Sequence, residues 1–106
     1  MVSLVLMIRR LVLDVLKPHN PSKINLSKKL SELKGVDGVN IITIEIDKEV
    51  ENVKIVLEGT DIHFNTVKKI LEENGAAIHS IDEVAAGKKI IEEVKTPQDK
   101  SITFLR

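Results

Sequence analysis

The residues with the clearest capacity for chemistry lie in one short stretch, residues 79–83 (His-Ser-Ile-Asp-Glu). An alternating pattern predicts a β-strand there, so His79 and Glu83 project from one face and Asp82 from the other. The neighbouring strand of the predicted sheet carries Asp14. We predict that a divalent metal ion binds to a set drawn from Asp14, His79, Asp82 and Glu83. Carboxylates favour Ca²⁺ or Mg²⁺ over Zn²⁺, whereas a histidine ligand shifts the preference towards a transition metal. The alternative is that these are solvated side chains whose charge protects an edge strand from pairing.

A second candidate is the segment Lys17-Pro18-His19-Asn20-Pro21. It precedes a predicted helix, and free backbone N–H groups at a helix N-terminus attract anions. Lys17 and His19 are therefore candidates to bind a phosphate or carboxylate ligand. The alternative, which the residue types favour, is a stiff turn in which Asn20, or Ser22 further on, caps the helix. The chain has no glycine-rich nucleotide-binding pattern.

A third motif is the alternation of Asp61, His63 and Asn65 in the loop after Gly59. Some calcium loops alternate oxygen ligands in this way, but the central glycine and the later glutamate of an EF-hand are missing. We therefore interpret these residues as capping groups of the helix that follows. Ser80 and His79 are adjacent on a strand and point to opposite faces, so they do not form a nucleophile–base pair.

The composition excludes several classes of protein. The 106 residues include 16 basic and 16 acidic side chains, no cysteine, no tryptophan or tyrosine and two phenylalanines. Disulfides and thiolate chemistry are thereby excluded, and neither the net charge nor the aromatic content suits nucleic-acid binding. The apolar N-terminus lacks the order of a secretory signal and is too interrupted to span a membrane. We expect a cytoplasmic protein, and its Lys- and Glu-rich composition is typical of thermophiles.

Hydrophobic periodicity predicts six elements. Gly35 and Gly75 are predicted to end the two helices by taking a positive φ. Residues 36–38 and 59–61 are predicted to be a turn and a loop, and residues 88–94 fit either a helical turn or a continuing strand. The predicted strands cover residues 9–16, 39–49, 53–58 and 76–86, and the predicted helices run from about residue 20 to 34 and from about 61–65 to 74.

The element order β-α-β-β-α-β predicts an α+β fold of the ferredoxin-like type, with a four-stranded antiparallel sheet and both helices on one face. We treat residues 1–106 as one domain, with an apolar N-terminal extension over residues 1–7 and a C-terminal extension over residues 88–106. The other face of the sheet has no cover in a single copy.

Isoleucines and valines are predicted on both faces of the sheet. Aliphatic residues left on the uncovered face would favour association, so we predict a homo-oligomer that joins through this face or through an edge strand. We expect no nucleic-acid or membrane partner. The predicted core face carries Leu11, Leu13, Val15, Ile42, Ile44, Ile46, Val53, Ile55 and Leu57, and the opposite face carries Val12, Leu16, Ile41 and Val56.

Four stretches of the chain together resemble a known archaeal family, the domain of unknown function 211. They are residues 9–19 (RRLVLDVLKPH), 35–40 (GVDGVN), 53–59 (VKIVLEG) and 78–88 (IHSIDEVAAGK), in the order and spacing of that family. The resemblance covers Met7 to about Lys100. It implies an archaeal protein with a ferredoxin-like fold that forms oligomers, and it implies no activity.

Three classes of function fit these observations. The first, which we favour, is a small oligomeric binding or regulatory module that takes a divalent metal ion or a small anionic ligand. The second is a structural scaffold whose function is assembly itself. The third is an enzyme with a site of carboxylates and His79 formed between subunits, since a domain of this size makes a pocket mainly at such interfaces.

Overall fold

The first strand shows how the sequence builds the sheet. In the computed structural model, which describes residues 7–96, β1 alternates between buried and more exposed positions. Leu11, Leu13 and Val15 are at most 1% exposed and face the helices. Arg10 and Asp14 lie on the opposite side, because successive side chains of a strand point to opposite faces.

The structure confirms the predicted ferredoxin-like fold. One antiparallel sheet has the strand order β2-β3-β1-β4, so β1 and β3 are central and β2 and β4 are the edges. The first and fourth strands are neighbours, as predicted. The elements are β1 (Ile8–Pro18), α1 (Lys23–Ser31), β2 (Val36–Ile46), β3 (Val50–Ile62), α2 (Phe64–Glu73) and β4 (Ala77–Ala86).

The hydrophobic core lies between the sheet and the two helices. Leu26 and Leu30 of α1 and Val67 and Leu71 of α2 are fully buried, at the helical spacing of four residues. The sheet contributes Leu11, Leu13, Val15, Val53, Ile55, Leu57 and Ile62 to the same core. The other face, which we call the open face, carries neither helix.

The predicted orientation of β2 was wrong. Ile41 pairs with buried Ile55 and packs against the core, whereas Ile42, Ile44 and Ile46 are 41%, 57% and 64% exposed. Isoleucine occurs at both odd and even positions of this strand, so its hydrophobicity does not distinguish the two faces. The pairing with β3 decides the orientation. This pairing shifts by one residue between Thr43 and Glu45, so Ile42 lies on the open side whereas Ile46, although exposed, pairs with Glu51.

Strands β2 and β3 are longer than predicted at the end away from the hairpin that joins them. The predicted turn at residues 36–38 and the predicted loop at 59–61 belong to β2 and β3, and Val36 pairs with Gly59. Gly35 has a φ of +88°, and a β-carbon built on either Gly35 or Gly59 would lie 1.9 Å from a carbonyl oxygen. The two glycines therefore allow a close crossing of backbones.

The two helices differ in how they begin. The hydroxyl of Ser22 accepts a hydrogen bond from the Asn25 N–H at 3.2 Å and caps α1. The capping interpretation of the loop before α2 was wrong: His63 occupies the N-cap position but makes no cap hydrogen bond through its side chain. Its ring instead approaches the Asp61 carboxylate at 3.3 Å.

After β4 the chain crosses to the open face. Residues 88–96, which we call the C-terminal strap, form neither of the two structures considered from sequence and have no regular hydrogen-bonded conformation. No helix among residues 7–96 has the length and apolar character needed to cross a membrane. Residues 1–6 of the predicted N-terminal extension and residues 97–106 of the C-terminal extension lie outside the described part of the chain.

Candidate functional site

The four predicted metal ligands lie on the neighbouring strands β1 and β4, but the even spacing of His79 and Glu83 does not place them as expected. Strand β4 has an extra residue at two points of its pairing with β1. Asp14 pairs with Ser80 and Val12 pairs with Glu83, so Ser80 and Glu83 share the open face although they are three positions apart. Such irregularities change which side chains share a face and leave no clear signal in the sequence.

Each of the three predicted carboxylate ligands has a partner within the protein. Asp14 accepts a hydrogen bond from the side-chain amide of Asn52, and Asp82 accepts one from the Ser80 hydroxyl at 2.7 Å. Glu83 lies 3.4 Å from the Arg10 guanidinium. His79 is exposed. Within residues 7–96, no group of three or more histidines and carboxylates has an arrangement that could hold a metal ion in a single copy.

The two predicted anion ligands do come together, around a third residue. Lys17 continues the buried side of β1 and is 1% exposed. Its ammonium donates to the Pro18 carbonyl at 2.7 Å and to the Glu51 carboxylate at 3.2 Å. The His19 ring lies 2.9 Å from the other Glu51 oxygen. We call Lys17, His19 and Glu51 the closed cluster; an anionic ligand would have to displace Glu51 to reach Lys17.

The geometry of His19 favours its protonated form. One ring nitrogen faces the Glu51 carboxylate and the other faces the Lys48 carbonyl at 2.8 Å, and both of these partners are acceptors. Only the imidazolium can donate to both. The bond to Glu51, and then the bond to Lys48, raises the pKa of His19. The bond from His19, together with that from Lys17, lowers the pKa of Glu51.

A second group of charges lies at the other end of β1, on the open face. The Arg10 guanidinium binds Glu58 at 2.7 Å and makes two bonds to Glu92, at 3.0 and 3.1 Å. These bonds, to Glu92 first and then to Glu58, raise the pKa of Arg10. The bond from Arg10 lowers the pKa of Glu92. We call Arg10, Glu58, Glu83 and Glu92 the open cluster.

The open cluster holds the C-terminal strap against the sheet. Glu92 belongs to the strap, and Arg9 adds a bond from its guanidinium to the Lys88 carbonyl at 2.9 Å. A groove of about 570 Å³ runs along this contact. It is lined by Val12, Lys54, Asp82, Glu83, Ile91 and Glu93.

The rest of the open face carries exposed aliphatic side chains. Leu16, Ile42 and Val50 are 41%, 41% and 39% exposed, and their pairing places all three on this face. We call them the bare area. The acidic residues Glu45 and Asp47 lie at its rim, around a depression of about 110 Å³ that Leu16 and Val50 also line.

Comparison with known proteins places the chain in a family. The sequence model of the family DUF211, described as "Uncharacterized ArCR", matches residues 9–100. The chain belongs to this family. The match confirms the resemblance stated from the four sequence stretches. It covers every residue of the closed cluster and of the open cluster.

One relative of this DUF211 protein is the "Uncharacterized protein MJ0319" of Methanocaldococcus jannaschii. The two are 58% identical over 93 residues, which cover 88% of this chain and 96% of the relative. Both descriptions are of uncharacterised archaeal proteins, and neither names an activity.

Proposed function

We propose that this DUF211 protein is a small homo-oligomeric module whose copies join through the open face of the sheet. The observation that carries the proposal is the bare area. Leu16, Ile42 and Val50 are each about two-fifths exposed on a face that carries neither helix. Burial of apolar surface in a contact between copies stabilises it by about 25 cal/mol per Å², and grouped exposed aliphatics are typical of interfaces.

The irregular pairing of the edge strand β4 favours a contact through the open face over a contact through that edge. Strand β4 is an edge, but its two extra residues at the pairing with β1 interrupt its regular backbone. Bulged edges are poor templates for pairing with another chain. The central strands β1 and β3 pair regularly from Arg10 to Pro18, and the strap leaves their open face uncovered at the bare area.

Ligand binding remains part of the proposal. A divalent metal ion at the set of Asp14, His79, Asp82 and Glu83 would require ligands from more than one copy, because the described residues of one copy hold no complete group. Contact between open faces supports such a shared site, since Asp82 and Glu83 line the groove on this face.

The alternative function is a scaffold in which assembly is the whole activity. For either function we propose a cytoplasmic location in a thermophile, because the composition lacks cysteine and is rich in Lys and Glu.

The test combines oligomeric state and metal content. We expect native mass spectrometry of the untagged full chain to show an oligomer, with metal mass that a chelator removes. The variant Ile42→Lys should shift the protein to monomer, because it places a charge in the contact. The control Ile24→Lys changes an isoleucine that is 67% exposed on α1, on the other side of the sheet, and should leave the oligomer intact.

The outcomes separate the parts of the proposal. A monomeric wild-type protein would overturn assembly through the open face. An oligomer without metal mass would overturn the metal site and leave the scaffold function. Equal effects of Ile42→Lys and Ile24→Lys would show that the contact lies elsewhere.

A further inference from the structure

Hydrogen bonds from two arginines hold the C-terminal strap, and most of its large aliphatic side chains stay exposed. Arg10 binds Glu92 through two hydrogen bonds, and Arg9 binds the Lys88 carbonyl. Of the three large aliphatic side chains of the strap, Ile90 is partly buried, whereas Ile91 and Val94 are 68% and 75% exposed. Ordering a backbone costs about 1–2 kcal/mol per residue, and such exposed side chains contribute little to offset that cost within one copy.

The strap and the bare area occupy different parts of the same face. The strap lies over β1 and β4 near Arg10, where its groove is lined by Val12 and Glu83. The bare area lies towards the other end of β1, at Leu16, and extends to Ile42 on the far edge. One part of the face is therefore raised and the other is uncovered.

Charge complements this difference in shape. Within the strap, Glu92 is engaged by Arg10, while Lys95 follows exposed Val94. Glu45 and Asp47 border the depression of the bare area. An aliphatic side chain followed by a cation thus matches an apolar depression with an acidic rim.

We propose that the strap of one copy packs on the bare area of a second copy of this chain. A two-fold axis in the plane of contact, running between strap and bare area, brings each strap onto the other copy's bare area, as an isologous contact requires. Val94 then enters the depression beside Leu16 and Val50, and Lys95 pairs with Asp47 or Glu45. The inference rests on the proposed contact through the open face and names the segment that makes it.

The first test removes the apolar part of the strap. We expect the double variant Ile91→Ser, Val94→Ser to raise the dissociation constant of the oligomer at least ten-fold, measured by dilution with light scattering. Ile24→Ser is the matched control, because Ile24 is 67% exposed and lies on α1. Circular dichroism should show the same fold in all three proteins, since the altered side chains are mostly exposed.

The second test reverses the charges. Lys95→Glu and Asp47→Lys should each weaken assembly, and combining them in one chain should recover at least part of the loss, because the pair is restored in the opposite sense. Additive losses in the combined variant would overturn the pairing of Lys95 with Asp47.

Failure of this inference is distinguishable from failure of the proposed function. If Ile42→Lys dissociates the oligomer but the double strap variant assembles like wild type, the open face is the contact and the strap inference is overturned. If the wild-type protein is monomeric at all concentrations, both are overturned. If the strap variant dissociates and Ile24→Ser does not, the strap inference is supported.

Discussion

Strand β1 carries a charged cluster at each end, and the two clusters differ in what they hold. The closed cluster joins Lys17 to Glu51 on the side of the sheet that faces the core, with Lys17 1% exposed. The open cluster joins Arg10 to Glu92 on the open face, where the Glu92 side chain is 69% exposed. Both clusters pair a cation with a carboxylate, so their chemistry is alike and their surroundings differ.

The surroundings decide what each cluster contributes. Removing a partner from a buried pair leaves a charge without compensation, whereas an exposed pair is screened by water and salt. The closed cluster is therefore part of the fold. The open cluster contributes little to the fold and determines where the C-terminal strap lies. A charged cluster near the end of a strand can thus be structural or can present a segment, and burial distinguishes the two.

The largest effect is expected for Glu51→Ala. Among residues 7–96, this change leaves the buried Lys17 ammonium with the Pro18 carbonyl as its one hydrogen-bond partner. Removing one partner of a fully buried ion pair typically lowers the free energy of unfolding by about 3–5 kcal/mol. Because Glu51 is 15% exposed, we expect a smaller loss of about 2 kcal/mol. Urea denaturation measures it. Glu72→Ala, which changes an exposed acid on α2, is the control and should change stability by less than about 0.5 kcal/mol.

A smaller effect is expected from the titration of His19. Its pKa is raised, so its contribution to stability is complete below its unfolded value of 6.5 and is lost as pH rises through the folded value. The pKa of Glu51 is lowered, so its contribution is present above 4.5 and is lost as pH falls through the folded value. The cluster should therefore stabilise the fold most between pH 4.5 and 6.5.

The variant His19→Gln tests this pH dependence. We expect the stability difference from wild type to be largest within that window and to shrink as pH rises through the raised pKa of His19 in the folded protein. Unfolding curves at a series of pH values measure the difference, and NMR titration of the ring reports the pKa directly. A difference that is constant with pH would show that the charge of His19 does not act on stability.

The smallest effect on the fold is expected for Glu92→Gln. The amide keeps a hydrogen-bonding side chain but removes the charge that Arg10 binds, so the strap should be held less firmly while the unfolding transition stays within error of wild type. Trypsin cleavage at Lys88, Lys89 and Lys95, measured below the midpoint of assembly, should become several-fold faster. Glu93→Gln alters the neighbouring carboxylate, which is not an Arg10 partner in the open cluster, and should cleave like wild type.

Much of the fold was predictable because most elements have a clear period and clear ends. Leu26 and Leu30 mark the buried stripe of α1, and Gly35 and Gly75 take the positive φ predicted at the helix ends. The orientation of β2 was not predictable, since isoleucine stands at positions 41, 42, 44 and 46 and both faces look alike. Only pairing with β3 resolves that choice.

The candidate sites were predictable in part. Lys17 and His19 do lie together, but Glu51, which joins them, was hidden in a polar hairpin 34 residues from Lys17. The sequence shows Arg10 as one of two arginines after an apolar run, and it gives no sign that Arg10 binds Glu58 and Glu92. The extra residues in β4 changed which of its side chains share a face, and such a change depends on the partner strand rather than on the local pattern.

The crossing of Gly35 over Gly59 has a consequence for how this sequence can diverge. A charged residue of either cluster can be exchanged if its partner changes with it, so the clusters can drift as pairs. At the crossing there is no compensating exchange, because a β-carbon on either glycine would lie 1.9 Å from a backbone oxygen. A distant homologue that preserves this architecture should therefore be easier to identify by these two glycines than by any of its charges.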